Sequence, residues 1–133
     1  MDMTVTFGGG MKVNANFNNF TVHTDQSKKI GGEETAPEPF AYFLSSLATC
    51  AGFFVVRFCQ TRNISTEGIQ LRQSNDWDKK TRLIKNIRLE IELPPSFPEK
   101  YAQALIRATN ECTVKRTLIN PPAISVTTKI VGT

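Results

Sequence analysis

Charge is missing from one stretch of this sequence. Between Glu38 and Arg57 the chain reads PFAYFLSSLATCAGFFVV, Pro39–Val56, without a single Asp, Glu, Lys, Arg or His. Histidine and tryptophan are scarce, with one of each in 133 residues. No C-x-x-C occurs, and no Cys/His pair has zinc-ligand spacing, so neither a metal centre nor a bound cofactor is expected. The first ten residues, MDMTVTFGGG, lack a basic segment followed by an apolar one, so no secretory signal is expected. Three cysteines, an odd number, then fit a reducing cytoplasm. The net charge of +4 is spread over scattered Lys and Arg interleaved with acids, which argues against a nucleic-acid partner.

What is present is a chain long enough for one domain with a real core, covering 1–133. Its apolar fraction of 40% and mean hydropathy of −0.23 are those of a soluble protein. The uncharged stretch is 18 residues long, at the short edge of what a bilayer requires. Ser45, Ser46, Thr49 and Gly52 dilute it, and no aromatic belt or basic cluster flanks it. It reads as a buried central helix rather than a membrane span, because a helix apolar on nearly all sides has to be covered.

Around that helix the pattern predicts an α+β fold in the order βββ–α–ββ–α–α–β, with antiparallel sheets. Residues 3–7, 11–17 and 20–25 alternate and are separated by Gly8-Gly9-Gly10 and Asn18-Asn19, a three-stranded meander. Residues 26–38 form a polar loop whose acids precede the central helix, predicted over about 38–62 with Asn63 as its stop. Strands follow over 67–76 and 82–93, the second placing Ile87, Leu89, Ile91 and Leu93 on the core face. A helix over 96–110 is introduced by Ser96 and Glu99, spaced as a capping box. A short helix start carries Cys112, and 123–131 reads as a closing strand.

Chemistry centres on the thiols. Cys50 lies mid-helix, with Ser46, Leu47, Phe53 and Phe54 as its neighbours at three and four positions, a candidate pocket. Cys59, nine residues on, points to the opposite face at about 100° per residue and is read as structural. Cys112 begins a helical turn with Lys115 and Arg116 close by, a setting that favours a thiolate. Ser45, Ala48, Thr49 and Gly52 form a stripe of small residues, against which a second helix is expected to pack closely. His23, alone on a strand, is read as structural.

The segments PFAYFLSSLATC, ending at Cys50, and TNECTVKRTL, containing Cys112, resemble the paired cysteine motifs of the OsmC/Ohr family of thiol-dependent hydroperoxide reductases. The order of elements is similar over nearly the whole chain. The resemblance implies an intertwined homodimer with active sites at its interface. It implies that Cys50 is the peroxidatic thiolate, which reduces a small organic hydroperoxide and becomes a sulfenic acid, with a role in oxidative-stress defence. Cys112 is then the resolving thiol, and an external dithiol reduces the disulfide. The sequence departs from the family's pattern in its activating groups. No arginine precedes Arg57, Gly10 falls near the arginine's place with Lys12 the nearest cation, and Phe40 stands where a glutamate is expected, two residues after Glu38. Lys12, Glu38 and Phe40 are thus the candidate supporting residues of a divergent branch. The alternative is an OsmC-like protein that binds a ligand or senses redox state without efficient peroxidase turnover.

Overall fold

The computed structural model describes residues 1–132. Its contacts divide the chain into two compact units, Met1–Ser46 and the part from Leu47 onward, with the boundary inside the longest helix.

In the first unit β1 (Thr4–Phe7), β2 (Val13–Phe17) and β3 (Phe20–Thr24) form an antiparallel sheet in that order, with Phe7 opposite Val13 and Phe17 opposite Phe20. Gly9 and Gly10 turn the chain at φ +88° and +56°, a region open to glycine at little cost. That turn also takes up Lys12, whose N–H bonds Gly9 O, so β2 begins later than the alternation from Met11 predicts. Asp25 leaves the ladder because its N–H bonds Pro37 O.

The helix α1 (Pro39–Thr61) matches the predicted span. Asn63, at φ +53°, ends it, with Ile64 N–H returning to Cys59 O at 2.9 Å. Its burial does not match the expectation. Only Leu47, Ala51, Val55, Phe58 and Cys59 are buried, a single stripe at helical spacing. Phe40, Phe53 and Val56 are 41–55% exposed, because one chain supplies too little structure to surround the helix.

In the second unit β4 (Gln70–Trp77) and β5 (Ile84–Glu92) form an antiparallel hairpin with a register shift at Asp76/Trp77. Gly68, at φ +79°, delays β4 relative to the predicted start. Ile91 and Leu93 pack on a core of Val55, Phe58, Cys59, Phe97 and Leu105, while Arg88 and Glu90 face water. After the hairpin, a 3₁₀ turn over Glu99–Tyr101 leads into α2 (Ala102–Thr109). The expected capping box at Ser96 does not form. Pro98, fixed near φ −65° with extended ψ, precedes the first turn, which has no side-chain cap. The last helix is α3 (Thr113–Ile119).

The predicted closing strand is absent among the described residues. From Pro121 the chain has no regular structure, and Ile124, Val126 and Ile130 are 87–97% exposed. Alternation supplies a strand's side chains, but a strand forms only where a neighbour accepts its hydrogen bonds. The observed order is therefore βββ–α–ββ–α–α, an α+β fold with antiparallel sheets.

Candidate active site

The second unit brings Cys50 and Cys112 together. Tight turns after α2, with Glu111 N–H bonding Ala108 O and Cys112 N–H bonding Thr109 O, swing the chain back toward α1. Cys112 becomes the N-cap of α3, where its sulfur accepts the N–H of Lys115 at 3.4 Å. Its thiol also points at the carbonyl oxygen of Leu47, 4.0 Å away. Cys50, half-buried one turn further along α1, is close enough to the Cys112 thiol and to the main-chain N–H groups of Val114 and Thr113 for each to act on its charge.

These contacts divide the two thiols electrostatically. Burial raises the pKa of Cys50, but the N–H of Val114, the Cys112 thiol and the N–H of Thr113 outweigh it, so the thiol lies below its ordinary value of 9.0. Cys112, 1% exposed, goes the other way. Burial raises it, and the Cys50 sulfur adds to the rise against the opposing N–H of Lys115. The expectation that the helix start makes Cys112 the thiolate is corrected, since the amides of that first turn favour the anion on Cys50. Cys59, fully buried, is raised by burial, with Arg62 opposing.

Beside the pair lies a cleft of about 1010 Å³, with Cys112, Leu47, Ala51 and Leu105 among its lining residues. Apolar side chains make up most of its wall, more of them from β5 and α2 than from the other elements, and Lys85, Glu90, Asn110 and Lys115 supply polar groups. Of the predicted pocket residues, Leu47 lines this cleft, whereas Phe53 is exposed and stacks edge-on with Phe54 at 5.3 Å. Ser46 donates to Phe43 O at 2.7 Å.

The candidate supporting residues belong to the first unit, where each has a local partner. Lys12 pairs with Glu33 at 2.5 Å, which raises its pKa. Glu38 accepts the N–H of Ser27, and the Phe40 ring stacks on Phe43 at 5.1 Å. Sequence reasoning missed Asp25, which organises this loop. Its buried carboxylate accepts from the Thr35 hydroxyl at 2.7 Å and from the N–H groups of Gln26, Glu33 and Thr35, and these bonds hold its pKa at about 2. His23 bonds Asn14 and receives the Tyr42 hydroxyl on its carbonyl. No cluster of three or more potential metal ligands occurs among the described residues.

A mixed α+β fold carrying two adjacent thiols of opposed acidity has the makings of a thiol-redox protein. The family model for OsmC-like protein matches residues 31–127, and the chain belongs to that family. None of the curated proteins matches it. Among solved structures, the OsmC-like protein from Mycoplasma pneumoniae aligns with a TM-score of 0.71 at 17% identity, over 90% of this chain and 87% of that one. The organic hydroperoxide resistance protein OhrB of Bacillus subtilis aligns at 0.54 and 21% identity, over 88% and 90%. The organic hydroperoxide resistance protein OsmC from Legionella pneumophila aligns at 0.54 and 18% identity, over 88% and 87%.

Proposed function

We propose that this protein reduces organic hydroperoxides through Cys50 and Cys112 as part of oxidative-stress defence in the cytoplasm. The observation that carries the reading is the juxtaposition of the two thiols, with the anion favoured on Cys50. Cys50 thiolate attacks the distal peroxide oxygen, the O–O bond breaks, and the alkoxide takes a proton and leaves as alcohol. The sulfenic acid on Cys50 then condenses with Cys112, releasing water and leaving a disulfide. An external dithiol restores both thiols. No bound cofactor or metal takes part.

A homodimer is part of the same reading. The exposed face of α1, carrying Thr49, Phe53 and Val56, suits a second copy of the helix, as does the small-residue stripe. A second reading is that the protein binds a ligand or senses redox state without efficient turnover. It is favoured by Lys12, which is already engaged by Glu33, and by the absence of any arginine before Arg57.

Thiol titration against stoichiometric organic hydroperoxide separates the two. Rapid loss of two thiols per chain, abolished by Cys50→Ser, is the expected result. Cys112→Ser is expected to stop at the sulfenic acid without a disulfide. Thiols that persist for many minutes would refute the peroxidase reading.

A further inference from the structure

Along most of the chain Lys and Arg interleave with acids, but one place is out of balance. The nine residues 77–85 hold four cations and one carboxylate, which is +3 of the chain's net +4. They form the turn and the last rung of the β4–β5 hairpin, where Trp77 stands opposite Ile84. The hairpin packs on the core through Leu71, Ile91 and Leu93, at its other end. Six residues of β4 separate Leu71 from Trp77, about 20 Å at a strand's rise.

The turn is closed tightly. Asp78 N–H bonds Leu83 O and Arg82 N–H bonds Asp78 O, both at 2.8 Å. The Asp78 carboxylate is engaged within the loop, where it accepts the N–H groups of Lys80 at 2.8 Å and Thr81 at 3.0 Å. Asp76, at the next rung, pairs with Arg88. Lys79, Lys80 and Arg82 are exposed and belong to none of the ion pairs among the described residues. Arg82 sits at φ +58°, where glycine or asparagine would cost the backbone less, so the turn carries its third cation against local preference. On either side of these cations, Trp77 is 52% and Leu83 67% exposed.

We propose that this hairpin tip docks on the surface of an anionic phospholipid bilayer. The proposal is independent of the thiol pair and of the reading built on it. Lys79, Lys80 and Arg82 are attracted by the negative surface potential of acidic headgroups. Tryptophan favours the headgroup zone, where its ring leaves water and its N–H stays wet, and an exposed leucine gains from the same transfer. Leu83 sets this surface apart from a nucleic-acid site, because bases stack on aromatic rings and phosphates pair with cations, and neither uses an aliphatic side chain. A groove for nucleic acid also tracks several phosphates, whereas two strands about 5 Å apart make a narrow point. Contact of this kind is peripheral and reversible, with no element crossing the bilayer.

Trp77 is the only tryptophan in the chain and reports on the tip directly. In the test, the full chain is titrated with vesicles of about two parts phosphatidylcholine to one part phosphatidylserine, and in parallel with phosphatidylcholine alone, while tryptophan emission is followed. The expected result is a blue shift and reduced acrylamide quenching with the anionic vesicles, both weakened by added salt, and no change with phosphatidylcholine. Replacing two charges with Lys79→Gln and Lys80→Gln is expected to weaken binding about 25-fold, roughly fivefold for each. Leu83→Ser keeps every charge and is also expected to weaken it. Unshifted emission with anionic vesicles at low salt, an equal shift with both vesicle types, or a double variant that binds like the wild type would each overturn the proposal. So would tighter binding to a single-stranded DNA oligonucleotide than to the anionic vesicles. Thiol titration of the same variants is expected to match the wild type, which separates failure at the tip from failure of the peroxidase reading.

Discussion

Thr113→Pro is a clean probe of what charges Cys50. Position 113 is the first residue of α3, where proline is well tolerated, and Cys112 before it already sits at φ −49° and ψ 120°, a conformation suited to precede proline. The substitution removes one N–H from Cys50 and leaves the helix intact. The Cys50 pKa is expected to rise, and each unit of rise lowers the thiolate fraction at neutral pH about tenfold. The pH dependence of alkylation by iodoacetamide reads this directly, and an unshifted profile would remove the amide from the account. Asp25 gives a second probe. Its folded pKa of about 2 lies below the ordinary 3.8. Its contribution is therefore complete above the ordinary value and is lost as pH falls through about 2. Asp25→Ala is expected to lower the melting temperature by several degrees at neutral pH, and by less in strong acid, and to speed proteolysis in the loop after Thr24. Cys50 and Cys112 could be picked out from their flanking residues, and Cys112 from its place at a helix start. The donors that favour the thiolate could not, because main-chain N–H groups have no residue identity and acquire a direction only once α3 is folded.

At the scale of elements, α1 separates what periodicity reveals from what it hides. Its ends were legible because Pro39 and Asn63 act locally on the backbone. Its burial was not, because a uniformly apolar pattern does not say which face a single chain covers. The β4–β5 hairpin was legible for the opposite reason, since the alternation from Ile87 to Leu93 assigns each face. The failed strand after Pro122 and the missing capping box share a cause. Both motifs name one partner of a hydrogen bond and leave the other to the fold. Gly52 tests the exposed face of α1. A Cβ added there meets nothing within 4 Å, so Gly52→Leu is expected to leave the chain folded. If the helix packs closely on a second copy, the added bulk costs about 1–3 kcal/mol and weakens the dimer by about fivefold to a hundredfold. Sedimentation velocity reads the outcome, and an unchanged dimer would move the interface elsewhere.

For the whole molecule, fold class and element order were largely legible, because they follow from hydrophobic period and turn residues. The division into two units was not, since it depends on which contacts form after the elements exist. The reactive pair lies wholly in the second unit, and the loop organised by Asp25 lies wholly in the first. Leu105, with no exposed surface, ties α2 to the core of Val55, Phe58, Cys59 and Phe97. Leu105→Ala is expected to cost about 2–5 kcal/mol, read as a lower denaturant midpoint.

The uncovered face of α1 has a consequence for thermodynamics. If a second copy covers Phe53 and Val56, the chain depends on mass action for part of its stability. With a second copy as the cover, folding and association are a single equilibrium. The melting temperature then rises with protein concentration, and dilution alone becomes a denaturant.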